Sequence, residues 1–273
     1  MIRFGILGAG RIGKVHTATI GASSRAKVAF VADAMAKAAN DLAATVGAKV
    51  ASVEEIIASK EVDAVLIATP TGTHADLIEA ASNTGKAILC EKPVSLSVDR
   101  ILSCLKVVEK NKSNLMIGFN RRFDPNFANL QTRIARGDIG NVELATIISR
   151  DPAPPPADYV KGSGGLFRDM MIHDFDMARF LLGEVDEIYA AAGVLVPADE
   201  GELGVVEGHA FDLEHAAAGF LQRQDGLVAV MQTQHDALQV EQHIDHVFLH
   251  AVDSGVFMQY AGDLDFSRGI AGH

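Results

Sequence analysis

Apolar residues over the first 118 positions fall in short unbroken runs separated by longer stretches of mixed polarity. The runs are 2–7 (IRFGIL), 27–32 (KVAFVA), 63–68 (DAVLIA), 86–90 (KAILC) and 114–119 (NLMIGF). They have the length of strands, and their lack of alternation predicts burial on both faces. The stretches at 11–22, 34–46, 72–84 and 97–111 carry helical spacing. Strand–helix alternation with short connections predicts a parallel sheet wrapped by helices, an α/β domain. After 119 the pattern changes. It predicts a helix at 125–136, a strand at 142–149, a Pro/Gly loop at 151–165 and a helix over 168–183. From 186 onward it predicts strands of an antiparallel sheet at 187–196, 208–222, 226–235 and 244–251, with an exposed acidic loop at 197–208. The expected division is therefore a domain at 1–118 and a second at 119–273.

The stretch 168–183, RDMMIHDFDMARFLLG, is apolar on most sides when wound at about 100° per residue. Asp169 and His173 then lie about 40° apart on one face. Burying a polar group without partners costs roughly 2–7 kcal/mol. Two readings stay open: the pair bridges elements of a core, or it faces a cavity that holds a substrate. A histidine beside a carboxylate is a common general base, because the carboxylate orients the ring and stabilises the imidazolium.

Composition narrows the classes. Hydrophobic residues make up 48% and charged residues 22%, as in globular domains with real cores. No apolar run has the length of a membrane span, and the N-terminal MIRFGILGAG lacks a signal-peptide cleavage pattern. The two cysteines, Cys90 and Cys104, form neither a disulfide framework nor zinc spacing. These features point to a cytoplasmic protein without a membrane partner. The net charge of −11 and the lack of a basic stripe argue against nucleic-acid binding. An acidic chain can still hold an anionic cofactor on a helix N-terminus.

Such a site is written into GILGAGRIG, which contains Gly8-x-Gly10-x-x-Gly13. The motif follows a predicted strand, opens a predicted helix, and is followed by Asp33 twenty residues after Gly13. That context marks dinucleotide binding. Gly8 serves the tight turn, Gly10 the approach of the pyrophosphate, and Gly13 the helix–strand packing. Arg11 and Ile12 open the helix. Asp33 is expected to accept the adenine ribose hydroxyls and repel a 2′-phosphate, so NAD is expected over NADP, with nearby Arg11 softening the preference. Two further segments sit at predicted strand C-termini, where ligands bind in such sheets. One is Thr69-Pro70-Thr71 with His74, on the nicotinamide side. The other is Glu91-Lys92-Pro93, whose proline is compatible with a cis bond. Position alone leaves Lys92 open between a solvated lysine and a lysine in the crevice.

The segments GILGAGRIGKVH, ATPTGTHADL, EKPVSL, GFNRRFDPNF and SRDPAPPP…YVKGSGGLFRDMMIHDFDMARFLLGE, in this order, resemble the Gfo/Idh/MocA oxidoreductase family, and within it the inositol 2-dehydrogenase branch. The resemblance covers about residues 1–190. It implies an N-terminal Rossmann domain with a parallel sheet. After it comes an α/β domain with a large open, mostly antiparallel sheet, here C-terminally shortened, used for homodimer or homotetramer contacts. It implies that Lys92, Asp169 and His173 surround the reacting carbinol, with His173 taking the hydroxyl proton, Asp169 assisting, and Lys92 holding the substrate oxygen and the nicotinamide ribose. It also implies that Arg122 and Asp151 lie near the polyol. The expected reaction is NAD-dependent oxidation of a cyclic polyol, first of all myo-inositol to its 2-keto product. Another inositol or sugar is the nearby alternative. A further alternative is an inert NAD-binding member, because QTQHDALQVEQHIDHVFLH (232–250) departs from the polar, tyrosine-bearing strand of the family. Seven of the ten histidines lie from His209 onward. His243, His246 and His250 would share a helix face, but the stretch reads as a strand, which leaves only His246 and His250 on one side. No metal is expected.

Overall fold

The computed structural model describes residues 1–149, 159, 162–185 and 188, and the backbone of 229–230, 246–250 and 257–261. The chain divides into two units, Met1–Phe119 and Asn120–His273. Apart from Ile188, the strands expected at 187–196 and 208–222 and the loop at 197–208 lie outside the described residues, as does Asp151.

The first unit alternates β1 (Ile2–Leu7), α1 (Arg11–Gly21), β2 (Ala26–Ala32), α2 (Ala36–Val46), β3 (Lys49–Val50), α3 (Val53–Ala58), β4 (Ala64–Ile67), α4 (His74–Asn83), β5 (Ala87–Cys90), α5 (Val98–Asn111) and β6 (Leu115–Ile117). Its six strands run in the order β3-β2-β1-β4-β5-β6, all parallel. Ile6, Val31 and Leu66 enter one buried cluster while Leu7, Val65 and Ile67 enter another. Successive side chains of a strand point to opposite faces, so the unbroken apolar runs are what a sheet covered on both sides requires. The order reverses direction at β1, between β1 and β4, which opens a crevice beyond their C-terminal ends.

Two elements of this unit were not expected. β3 has two residues, too short to leave a periodic signal. α3 is six residues long, but its start is marked by a capping box: Ser52 accepts the Glu55 N–H at 3.1 Å, and Glu55 accepts the Ser52 N–H at 2.8 Å. The Ser-x-x-Glu spacing carried that signal. The helix expected over 72–84 opens instead with a 3₁₀ turn, Thr71–Thr73.

In the second unit α6 (Pro125–Ala135) starts where Asp124 accepts the Asn126 N–H at 2.8 Å and Pro125 occupies the first helical position. β7 (Leu144–Ile148), α7 (Gly165–Asp169) and α8 (Ile172–Leu182) follow. Phe127, Met177 and Leu181 form its buried cluster, with Leu130, Ile134 and Ile147 packed against it. Short strands β8 (Ala229–Val230), β9 (His246–His250) and β10 (Phe257–Ala261) join β7 in the antiparallel order β8-β7-β10-β9. The histidines of 246–250 therefore lie on a strand.

Candidate active site

In the first unit the candidate residues begin where β1 passes into α1. Gly8 has φ +106°, and a Cβ there would lie 2.4 Å from the Ala68 carbonyl oxygen. A Cβ on Gly13 would lie 2.1 Å from the Gly8 oxygen. Both glycines are required by the fold itself. Gly10 differs, because nothing lies within 4 Å of where its Cβ would be. It caps α1 without a side-chain hydrogen bond, and the first turn holds no acidic residue. The first N–H groups of a helix lack internal partners and carry its positive end. The open space at Gly10 and these donors fit the diphosphate of a dinucleotide. Arg11 is exposed and Ile12 half-buried beside this space.

Asp33 follows the end of β2. Its Oδ2 accepts the Ala9 N–H at 2.7 Å and its Oδ1 the Met35 N–H at 2.8 Å. The carboxylate is thus fixed against the glycine loop. Each oxygen retains a second lone pair for a ribose hydroxyl. Asp33→Ser is expected to raise the NADP-to-NAD ratio of kcat/KM about tenfold or more, the effect of relieving one charge repulsion of roughly 1.4 kcal/mol. An unchanged ratio in steady-state kinetics removes the ribose role from Asp33.

Beyond β4, Thr69 Oγ1 meets Thr73 Oγ1 at 2.7 Å, and Thr73 Oγ1 donates to the Pro70 oxygen at 2.8 Å. Pro70 and Thr71 lie on this turn, with Pro70 exposed. His74, expected to touch the cofactor, is only 2% exposed. Its Nδ1 faces the Pro93 oxygen at 2.8 Å and its Nε2 the Thr69 oxygen at 2.7 Å. With both ring nitrogens used inside the fold, it has no polar atom to offer a ligand. His74 thus ties the Thr69 turn to the turn after β5.

That second turn is Glu91-Lys92-Pro93, with a cis Lys92–Pro93 peptide. Glu91 Oε1 lies 2.6 Å from His16 Nε2 on α1. Burial works to raise the Glu91 carboxyl, but the His16 hydrogen bond and charge, the Lys92 N–H and the Lys92 ammonium together hold it below the usual carboxylate range. Lys92 is half-buried. The glycine cradle, Asp33, the Thr69 turn and Lys92 all stand at C-terminal strand ends of one sheet.

In the second unit the single helix expected over 168–183 is broken. α7 ends at Asp169, Met170 and Met171 form a turn, and α8 starts at Ile172. The Met171 N–H donates to the Leu166 oxygen at 2.9 Å, a spacing of five. The His173 N–H donates to the Met170 oxygen at 3.2 Å, a spacing of three. Neither bond has α-helical spacing, so the angular argument that put Asp169 and His173 on one helix face does not hold. They stand on opposite sides of a kink, and both are half-buried. Asp169 Oδ1 accepts the Tyr159 hydroxyl at 3.1 Å.

The buried acids of this segment are Asp174 and Asp176, which the sequence reading passed over. Asp174 Oδ1 takes the Arg121 Nη1 donor at 2.5 Å and the Ser149 hydroxyl at 2.6 Å. Asp176 takes Arg122 Nε at 2.8 Å and Nη2 at 2.7 Å, while the guanidinium lies 5.1 Å from the Phe180 ring centre. The hydrogen bond to Asp176 raises the Arg122 guanidinium above its ordinary value. The signal was present: an adjacent basic pair, NRRF, in an acidic chain, and two acids inside an apolar helix. Among the described residues no group of three or more His, Cys, Asp or Glu side chains gathers to hold a metal ion.

The reversal of strand order at β1 and the open glycine cradle there define a dinucleotide-binding protein of the Rossmann class. Residues 2–119 match the oxidoreductase family with an NAD-binding Rossmann fold, and residues 127–246 match the GFO/IDH/MocA C-terminal domain. The chain belongs to the Gfo/Idh/MocA oxidoreductase family. It is 53% identical over 204 residues to an inositol 2-dehydrogenase of Rhizobium meliloti strain 1021, covering 74% of this chain and 62% of that protein. A crystal structure of a putative myo-inositol dehydrogenase from Sinorhizobium meliloti 1021 superposes with TM-score 0.67 at 55% identity, over 69% of this chain and 57% of that one. The scyllo-inositol dehydrogenase of Lactobacillus casei, solved with NAD(H) and scyllo-inositol, superposes with TM-score 0.64 at 29% identity, over 73% and 62% of the two chains. The chain thus spans less than two thirds of the length of these relatives.

Proposed function

We propose that this chain is an NAD-dependent dehydrogenase acting on a cyclic polyol, oxidising myo-inositol to 2-keto-myo-inositol. The observation that carries the reading is Lys92 at the end of β5, two strands from the open Gly10 cradle in the same sheet. A cationic side chain there can hold both a substrate oxygen and a ribose hydroxyl. The 53% identity to an inositol 2-dehydrogenase supports the choice of substrate.

NAD, when bound, supplies the hydride acceptor at the nicotinamide ring. Gly8, Gly10, Arg11, Ile12 and Gly13 would hold its diphosphate, Asp33 its adenine ribose, and Thr69, Pro70, Thr71, Glu91 and Lys92 would border its nicotinamide half. We assign His173 as the base that takes the hydroxyl proton, Asp169 as its assistant, and Lys92 as the group that steadies the substrate oxygen. Arg122 and Asp151 would meet the remaining hydroxyls. Because Arg122 Nε and Nη2 are engaged by Asp176, that contact would fall to Nη1. The second unit would complete a large open antiparallel sheet and use it for homodimer or homotetramer contacts. The setting would be the cytoplasm. No helix among the described residues is long and apolar enough to cross a membrane.

The test is NADH formation, followed by absorbance, with NAD and a panel of myo-inositol, scyllo-inositol and aldoses. Turnover fastest with myo-inositol is the expected result. Preference for scyllo-inositol, the ligand of the Lactobacillus casei structure, would move the substrate. No turnover with any polyol despite tight NADH binding would make this an inert NAD-binding member.

A further inference from the structure

His16 is absent from the roles given above, yet it reaches across 75 positions to Glu91, the neighbour of Lys92. It stands on α1, the helix whose N-terminus forms the cradle. Its Nε2 lies 2.6 Å from Glu91 Oε1, and the two side chains are 24% and 15% exposed. The Glu91 backbone is fixed independently, since its N–H donates to the Ile67 oxygen of β4 at 2.9 Å. Gly118, just past β6, makes room for the carboxylate: a Cβ there would lie 3.0 Å from Oε1 and 3.2 Å from Oε2. On the other side of Lys92, the Pro93 oxygen is held by His74 at 2.8 Å. Both flanks of Lys92 are therefore anchored, one to the helix that carries the cradle.

We propose that His16 is a positioning residue for Lys92. It acts through Glu91: by sharing that carboxylate with the neighbouring ammonium it fixes the direction in which Lys92 leaves the turn. The role rests on the dehydrogenase reading for its effect on turnover, but not for its effect on Lys92 itself.

The experiment compares the full chain with His16→Ala and His16→Gln, the glutamine restoring a donor near Nε2. In His16→Ala, kcat is expected to fall about tenfold to hundredfold, the effect of misplacing a reacting group. NADH affinity, from a fluorescence titration, is expected to fall much less than kcat, by about threefold at most, because the cradle and Asp33 do not use His16 and Lys92 would meet only the nicotinamide half. His16→Gln recovers most of the loss. A second readout needs no turnover: acylation of Lys92 by acetic anhydride, followed by peptide mass relative to Lys110. In His16→Ala the released carboxylate pairs with the ammonium and slows Lys92 labelling about threefold or more. His16→Gln restores the rate. Labelling that is unchanged or faster in folded His16→Ala overturns the proposal, as does a fall in NADH affinity that matches the fall in kcat. If the unsubstituted chain oxidises no polyol, the dehydrogenase reading fails while the labelling still decides the role of His16. Should His16→Ala show no folding transition, Glu91→Gln serves in its place. It is expected to speed Lys92 labelling about threefold by removing the neighbouring charge, and an unchanged rate overturns the proposal.

Discussion

His173→Asn is expected to lower kcat with myo-inositol by about 10²–10⁴, the usual contribution of a general base. Asparagine keeps a hydrogen-bonding group near the position of Nδ1 but cannot accept and pass on a proton. His173 lies in the first turn of α8, directly after the kink at Met170 and Met171. The residue is half-buried. The loss should appear in kcat and kcat/KM together, because the proton moves only in the transition state. NADH affinity should not change, since the cradle lies on β1 and α1. Near-normal kcat in steady-state assays with myo-inositol would remove the base role from His173.

The second large effect concerns stability. Asp174→Ala should destabilise the second unit by about 3–5 kcal/mol, because removing one partner of a buried ion pair leaves the other charge uncompensated. Asp174 is 6% exposed and takes both the Arg121 guanidinium and the Ser149 hydroxyl. Loss of the aspartate takes this partner from both donors. Urea denaturation of the single variant measures the loss. The double variant Arg121→Met with Asp174→Leu should recover most of it, since replacing both partners by apolar groups removes the unpaired charge. A loss below about 1 kcal/mol for the single variant would mean that solvent screens the pair as it does a surface bridge.

These two predictions concern neighbouring residues, and only one of them was legible beforehand. His173 was singled out through its motif, whereas Asp174 was overlooked because its partner lies 53 positions away. The first unit was easier. Its longer strands are largely buried on both faces, so each left an unbroken apolar run, and the glycine spacing declared the turn between β1 and α1. What escaped there was short: β3 spans two residues and α3 six, below the length at which periodicity accumulates. The partners of His74 were not legible either. Its place in ATPTGTHADL suggests contact with a ligand, but in the fold it is buried against two carbonyl oxygens.

By itself the amino-acid sequence determined the strand–helix alternation, the glycine turn with its Gly8 and Gly13, the acid at Asp33, and the family. Each of these rests on interactions within a few residues of one another or on a motif with fixed spacing. The tertiary structure alone decided the break between Asp169 and His173, the pairing of Arg121 and Arg122 with Asp174 and Asp176, and the grip of His16 on Glu91. The reason is physical. A helix kinks when its internal hydrogen bonds change spacing, and an ion pair forms where the fold brings its two charges together. Neither leaves a periodic mark on the chain: the kink is a local change of hydrogen-bond spacing, and the ion pairs join residues more than 50 positions apart.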